Sequence, residues 1–275
     1  MAESLTQVEI PLLSIVTVVR NDRDRLAATV ASCVIQTAPE ASWEHVIVDG
    51  ASSDGTAGDA LQYRAARSNV TVLSETDIGL YDAMNKGSRL ASGRYLLFLN
   101  AGDTFAAADS IEYINRALLG FNGAWAIMQV NHLGARPRPE VINRLPFKTM
   151  NFWIGNYGCC HQGALFRRDL LLAFGGYALD QGLTADLHLM MRFSIASRPK
   201  EIELLATVYE GGGLSAELGG QIPFRMAEAR RDLLALTGLG SRANRAFAYL
   251  QTIRRFGPVV GQREWRAAKR AAGEQ

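Results

Sequence analysis

Short apolar runs rich in β-branched residues alternate along this chain with intervals long enough for one helix each, and that alternation admits few folds. Residues 12–19, 45–49, 69–75, 95–99 and 124–130 carry the strand pattern. Asp22 or Asp24 is placed to cap a first helix running to about residue 36, and helices over 57–67, 81–90 and 108–119 fill the later intervals. Strands and helices in this order imply an α/β protein with a mainly parallel, Rossmann-like twisted sheet flanked by helices and joined by right-handed crossovers. The stretch Arg94-Tyr-Leu-Leu-Phe-Leu-Asn-Ala-Gly-Asp103 is the most telling. Its apolar run suits a strand covered on both faces, and its polar turn falls where ligands bind such sheets, outside the strand carboxyl ends. Asn100 and Asp103 on a turn tightened by Gly102 could hold a hard cation against a phosphate; the plain alternative is a strand-end turn whose Asp103 caps the next helix.

The second half reads differently. A strand is expected within 160–166, short helices over 168–174 and 184–195, and an edge strand over 202–209, followed by the glycine-rich segment Glu210-Gly-Gly-Gly-Leu-Ser215. Beyond Pro223 the chain reads as helical and arginine-rich. At 275 residues and 48% hydrophobic content, one large α/β domain with an extension is expected. The division falls into a domain over 1–220, with halves of about 12–105 and 106–220, and a basic helical extension over 221–275.

Charge is uneven. Residues 221–275 hold 11 Lys/Arg and 4 Asp/Glu, a net of +7, so the preceding 220 residues are net −5. An acidic body that binds a diphosphate must offset both charges, which a divalent cation does directly. The basic tail has three readings: a solvated face packed on the domain, a surface for anionic lipid, or an oligomer contact. Ala246, Phe247, Leu250, Ile253 and Phe256 form an apolar stripe beside Arg242, Arg245, Arg254 and Arg255, which is compatible with an interfacial helix. No nucleic-acid reading module accompanies the basic residues, so nucleic-acid binding is not expected. The cysteines, Cys33, Cys159 and Cys160, are odd in number and two are adjacent, which suits a reducing compartment. The Cys159-Cys160-His161 run lacks a second ligand pair at zinc-site spacing. With no basic-then-apolar leader pattern and no apolar run near the ~18 residues a span requires, a cytoplasmic protein is expected, with peripheral contact at the inner membrane face.

The first strand is followed by Val19-Arg-Asn-Asp rather than by Gly-x-Gly-x-x-Gly, which argues against a dinucleotide-binding enzyme, and there is no Walker A lysine motif. Acids instead stand at successive strand ends: Asp49, Glu75 with Asp77, and Asp103. Such acids are costly unless solvated or used.

Four ordered segments carry a resemblance: Ser14-Ile-Val-Thr-Val-Val, Val48-Asp-Gly-Ala-Ser-Ser-Asp-Gly-Thr56, Ser74-Glu-Thr-Asp-Ile-Gly-Leu-Tyr-Asp-Ala-Met-Asn-Lys-Gly87 and Phe98-Leu-Asn-Ala-Gly-Asp103. Together they resemble the inverting family-2 glycosyltransferases with the GT-A fold, densely over 12–105, more loosely to about 215, and not in the basic tail. The resemblance implies that Thr17 and Val19 border the nucleotide base, that Asp49 bonds it, and that Asp77 and the segment Tyr81–Asn85–Lys86 flank base and ribose. Asn100, Ala101, Gly102 and Asp103 stand where the family has its Asp-x-Asp motif, with Asp103 as ligand for Mn²⁺ or Mg²⁺. Asn100 replaces the first acid and the motif is one residue longer, so Asp103 is left to carry most of the metal affinity.

By the same resemblance Asp186, in Thr184-Ala-Asp-Leu-His188, is the catalytic base; its plain alternative is an acid stabilised by a helix N-terminus. His161 and Gln162 resemble a His-Gln segment beside the active site that could meet phosphate or acceptor, and a buried structural histidine is the equal alternative. Gly212 and Ser215 resemble a loop near the diphosphate, or belong to a surface loop. The implied activity is transfer of a sugar from a nucleotide donor, expected to be UDP-linked, to a saccharide or lipid-linked acceptor in surface-polysaccharide, lipid-linked oligosaccharide or glycolipid synthesis. Two alternatives stay open: a catalytically silent nucleotide-sugar-binding scaffold, and a sugar-nucleotide pyrophosphorylase, which would want glycines after the first strand.

Overall fold

The computed structural model describes residues 10–134, 140–155, 159–211 and 221–271. Its first half is built on the parallel strands β1 (Leu13–Val19), β2 (Trp43–Asp49), β3 (Val70–Ser74) and β4 (Tyr95–Phe98). Every residue of β1 and β4 is buried, as expected when helices cover both sheet faces; the two polar residues of β1, Ser14 and Thr17, donate to Glu44 and to the Leu99 carbonyl. Helices α1 (Arg23–Val34), α2 (Thr56–Ala66) and α3 (Leu80–Leu90) connect them, each within a residue or two of the expected span at its start. Asp22 caps α1, accepting from the Arg25 backbone N–H. Helix α3 lies unusually close to the sheet, because a Cβ on Gly87 would stand 2.4 Å from Val16 Cγ1. Gly87→Ala is therefore expected to destabilise the fold by about 1–3 kcal/mol, read as a lowered melting temperature.

The second half adds β5 (Thr104–Phe105), α4 (Ser110–Leu118), β6 (Trp125–His132), β7 (Glu140–Ile142), α5 (Thr149–Trp153), β8 (Ala164–Arg167), α6 (Arg168–Ala173), α7 (Ala185–Ala196) and β9 (Lys200–Tyr209). The strand order is β3-β2-β1-β4-β8-β6-β9-β5, with β7 beside β6. Three expectations need correction here. The strand expected over 124–130 is not the next parallel neighbour of β4: β8 lies between them, antiparallel to both. The strand expected within 160–166 starts only at Ala164, because His161–Gly163 form a 3-10 turn. The segment 202–209 is not an edge, since β9 runs parallel to β6 on one side and antiparallel to β5 on the other. The edge is β5, whose two residues are too short to carry a periodic signal.

Strand direction now decides what meets what. Because β8 runs against β4, the residues before Ala164 project past the carboxyl end of β4. Because β9 runs parallel to β6, and hence with β4, Glu210 reaches the same edge. The carboxyl ends of β1, β2 and β4, the approach to β8 and the end of β9 thus converge.

The C-terminal helices are α8 (Ile222–Leu233), α9 (Gly238–Phe256) and α10 (Pro258–Ala271). Helix α8 joins the main core through Met226 and Ala229, while buried Arg230 donates to the Trp153 carbonyl and to Asn244 Oδ1. Among the described residues, no helix is long and apolar enough to cross a membrane.

Candidate active site

At the convergent edge lies a cleft of about 1030 Å³, counting its open mouth. Of the residues singled out in the sequence, Val19, Tyr81, Asn100, Ala101, Asp103, His161, Gln162 and Asp186 line it. Gly212 and Ser215 lie outside the described residues.

Asp103 sits in the turn between β4 and β5, where Gly102 at φ +96° makes the bend. The carboxyl is 3% exposed and accepts from Gln162 Nε2 at 3.0 Å and, more loosely, from the Glu210 backbone N–H at 3.4 Å. Burial pushes it up to about 6, an effect that the Gln162 hydrogen bond and the nearby His161 and Arg25 only partly offset. Asn100 lies on the same turn, and its buried Oδ1 has no hydrogen-bond partner. Asp186 enters from the opposite half, in the first turn of α7, where its Oδ1 accepts from the Leu187 backbone N–H at 2.8 Å. Its Oδ2 stands 3.2 Å from His161 Nδ1, the contact of a ring that carries its proton on Nδ1. His161 Nε2 is then a buried acceptor without a partner.

Consecutive residues therefore hold the two carboxylates: His161 grips Asp186 and Gln162 grips Asp103. The 3-10 turn that carries them is itself fixed by Thr207 Oγ1 donating to the Gln162 carbonyl, and by the Cys160 thiol donating to Gln162 Oε1. Burial raises the Cys160 thiol well above its ordinary range, which keeps it a donor. Tyr81 stacks on Tyr177 with centroids 5.2 Å apart, and burial with Asp186 nearby raises its phenol, so it too stays protonated.

Other expected contacts lie away from the open cleft. Thr17 is fully buried, donating to the Leu99 carbonyl at 2.7 Å and meeting His45 Nε2 at 2.8 Å, so it braces the sheet rather than facing a ligand. Asn85 is likewise turned into the protein: its amide donates to the Tyr177 carbonyl and its Oδ1 accepts from the Tyr177 N–H. The helical pattern could not reveal that partner, which is 92 residues away. Asn85→Ala should cost about 1–3 kcal/mol in a denaturant melt, by orphaning buried backbone groups, while leaving nucleotide affinity unchanged. Asp49 is covered, its Oδ2 taken by Ser74 Oγ and the Ser52 N–H, its Oδ1 left without a partner. Asp77 is paired to Lys86 Nζ at 2.6 Å, and Lys86 also meets Glu75 and Asp82.

Arg20, Arg25, Tyr209 and Glu210 line the cleft without having been singled out in the sequence. Arg25 pairs with Glu210 at 2.8 Å and donates to the Gly211 carbonyl at 3.4 Å, bridging α1 to the end of β9. The available signal was a cation one turn into the helix that follows β1, which is weak because most such residues are solvated.

A twisted α/β sheet with acids at the carboxyl ends of its strands, and a second half that closes over them, defines a GT-A-type protein. The glycosyl transferase family 2 model matches residues 14–174, and the chain belongs to that family. An uncharacterised glycosyltransferase of Mycobacterium tuberculosis is 30% identical over 211 residues, covering 75% of this chain and 78% of the relative. A Mycobacterium bovis glycosyltransferase named for PGL/p-HBAD biosynthesis is 30% identical over 220 residues, covering 74% of this chain and 79% of its own. Among solved structures, S. aureus TarS 1–349 in complex with UDP-GlcNAc aligns with a TM-score of 0.68 at 16% identity, over 93% of this chain and 79% of that one. The Pyrobaculum calidifontis mannosyltransferase PcManGT, in complex with GDP-Man and Mn²⁺, aligns at 0.63 and 16% identity, over 96% and 76%. At those identities the two structures speak to the fold alone.

Proposed function

We propose that this glycosyltransferase moves a sugar from a UDP-linked donor to a hydroxyl of a saccharide or lipid-linked acceptor, with inversion at the anomeric carbon. The observation that carries this is the pair of carboxylates, Asp103 and Asp186, which line one cleft and are held by neighbouring residues of a single turn. In this reading Asp103 faces the leaving diphosphate and Asp186 the incoming hydroxyl. Asp186 takes the acceptor proton as the hydroxyl attacks, and His161 fixes the orientation of that carboxylate.

Asp103 and the unpartnered Asn100 Oδ1 are hard oxygen donors on one turn, a set that suits Mn²⁺ or Mg²⁺. A divalent cation held there would supply charge neutralisation for the departing diphosphate. Arg25 exchanges Glu210 for phosphate oxygens when donor enters. Val19 and Tyr81, which line the cleft, border the base, while buried Asp49 braces the end of β2 through Ser52 and Ser74 and the Asp77–Lys86 pair stands behind the cleft wall. The backbone of Ala101 and Gly102 forms the floor beneath the diphosphate. The relatives named as glycosyltransferases, one of them for PGL/p-HBAD biosynthesis, support sugar transfer as the activity.

Calorimetric titration with UDP, GDP and TDP, each with Mn²⁺ and with EDTA, tests the reading. UDP is expected to bind most tightly, and EDTA to weaken it. Preference for GDP would change the donor, indifference to EDTA would remove the cation, and binding of none of the three would overturn the nucleotide-sugar reading.

A further inference from the structure

The C-terminal helices bury one side and leave another bare. Phe224, Ala227 and Ala248 form a small core of their own, closed by Tyr249 and Trp265, whose rings are 5.2 Å apart as α10 folds back along α9. The opposite side of α9 has no such cover. Leu239 is 82% exposed and Leu250 62%, and Val259 at the start of α10 is 80% exposed. Leu239, Ala243, Phe247 and Leu250 recur at intervals of four, four and three and make one stripe along the helix, bare at Leu239, Ala243 and Leu250 and bounded by Phe247, which is 37% exposed with its ring against the Arg230 guanidinium.

Charge says what covers that stripe. Described residues 221–271 hold eleven Lys/Arg and only three acids, Glu228, Asp232 and Glu264. Each acid already has an arginine partner: Arg225, Arg231 and Arg263 respectively. Cations thus outnumber carboxylates in the described segment, and Arg242, Arg254, Arg255, Arg266 and Arg270 among them stand exposed on α9 and α10. A second copy of this chain would bring the same excess against it. A nucleic acid would answer the charge but offer no apolar phase to Leu250. An anionic bilayer surface answers both.

We propose that the α9–α10 pair is an interfacial docking face for anionic phospholipid. The stripe through Leu239 and Leu250 enters the boundary between headgroups and acyl chains, and exposed arginines such as Arg254, Arg266 and Arg270 meet the lipid phosphates. This placement would deliver the cleft to acceptors carried in a membrane, yet the docking itself requires no reaction.

Co-sedimentation of the full chain with phosphatidylcholine vesicles, with and without phosphatidylglycerol, tests this in the absence of donor and acceptor. The outcome is therefore independent of the donor titration. Binding is expected only with phosphatidylglycerol, and weaker at high salt. Arg266→Glu with Arg270→Glu should lower the partition coefficient about tenfold or more. Leu250→Glu should lower it comparably at low salt, with the circular dichroism spectrum and UDP affinity of both variants unchanged. Equal partition to both vesicle types, or none to either, overturns the proposal. So does a stable dimer in sedimentation velocity that Leu250→Glu dissociates.

Discussion

Asp186→Asn is expected to lower kcat for sugar transfer by about 10²- to 10⁴-fold, while donor affinity and the melting temperature stay near those of the parent. The substitution is nearly isosteric. Asn keeps an oxygen to accept from the Leu187 N–H, and its amide N–H donates to His161 Nδ1 once the ring carries its proton on the otherwise unpartnered Nε2, so the start of α7 and the 3-10 turn stay linked. What disappears is a group able to take the acceptor proton. Loss of turnover with UDP binding intact in the same preparation separates a base from a helix-capping acid. A purely structural Asp186 would show the reverse, a lowered melting temperature and an unchanged rate. Transfer at the parent rate by a folded Asp186→Asn protein would sink the assignment.

Asp103→Asn should raise the stability of the cation-free protein by as much as about 3 kcal/mol above pH 6 and, with the same change, remove the effect of Mn²⁺ on UDP binding. The sign follows from burial. An unfolded Asp titrates near 4, whereas the folded carboxyl is pushed up to about 6. The fold disfavours its charged form, so this penalty is absent below about pH 4, grows as pH rises between the two values, and is complete above about 6. Asn carries no charge to bury and its oxygen still accepts from Gln162. The gain should therefore vanish in melts at pH 4, an internal control on its cause. A variant less stable than the parent at pH 7.5 in EDTA would show that Asp103 is retained for structure rather than held at a cost for its ligand.

Much of the nucleotide-binding half was legible from residues alone. The buried strands β1, β2 and β4 are short runs dominated by apolar and β-branched residues, their caps and turns are local, and Asp103 lies where an apolar strand ends in a polar turn. The reading failed where partners are distant in sequence. Asn85 and Thr17 have the side-chain chemistry of ligand contacts, but Tyr177 and Leu99 claim them from 92 and 82 residues away. Arg25 was passed over because its partner Glu210 lies at the far end of β9, 185 residues later.

Local chemistry thus settled which strands and helices form in the first half, where its sheet ends in carboxylates, and that the tail is basic with an apolar stripe. Propensity, capping and periodicity act within a few residues, and a single chain displays them in full. The tertiary structure alone decided that β8 runs antiparallel between β4 and β6, that β9 is covered by β5, and that the stripe on α9 faces outward. Those are long-range pairings, set by how sheet edges and apolar faces compete for one another once the elements exist. The reversal at β8 is what carries His161 and Gln162 to the edge where Asp103 already stands, and so turns two carboxylates from separate halves of the chain into one site.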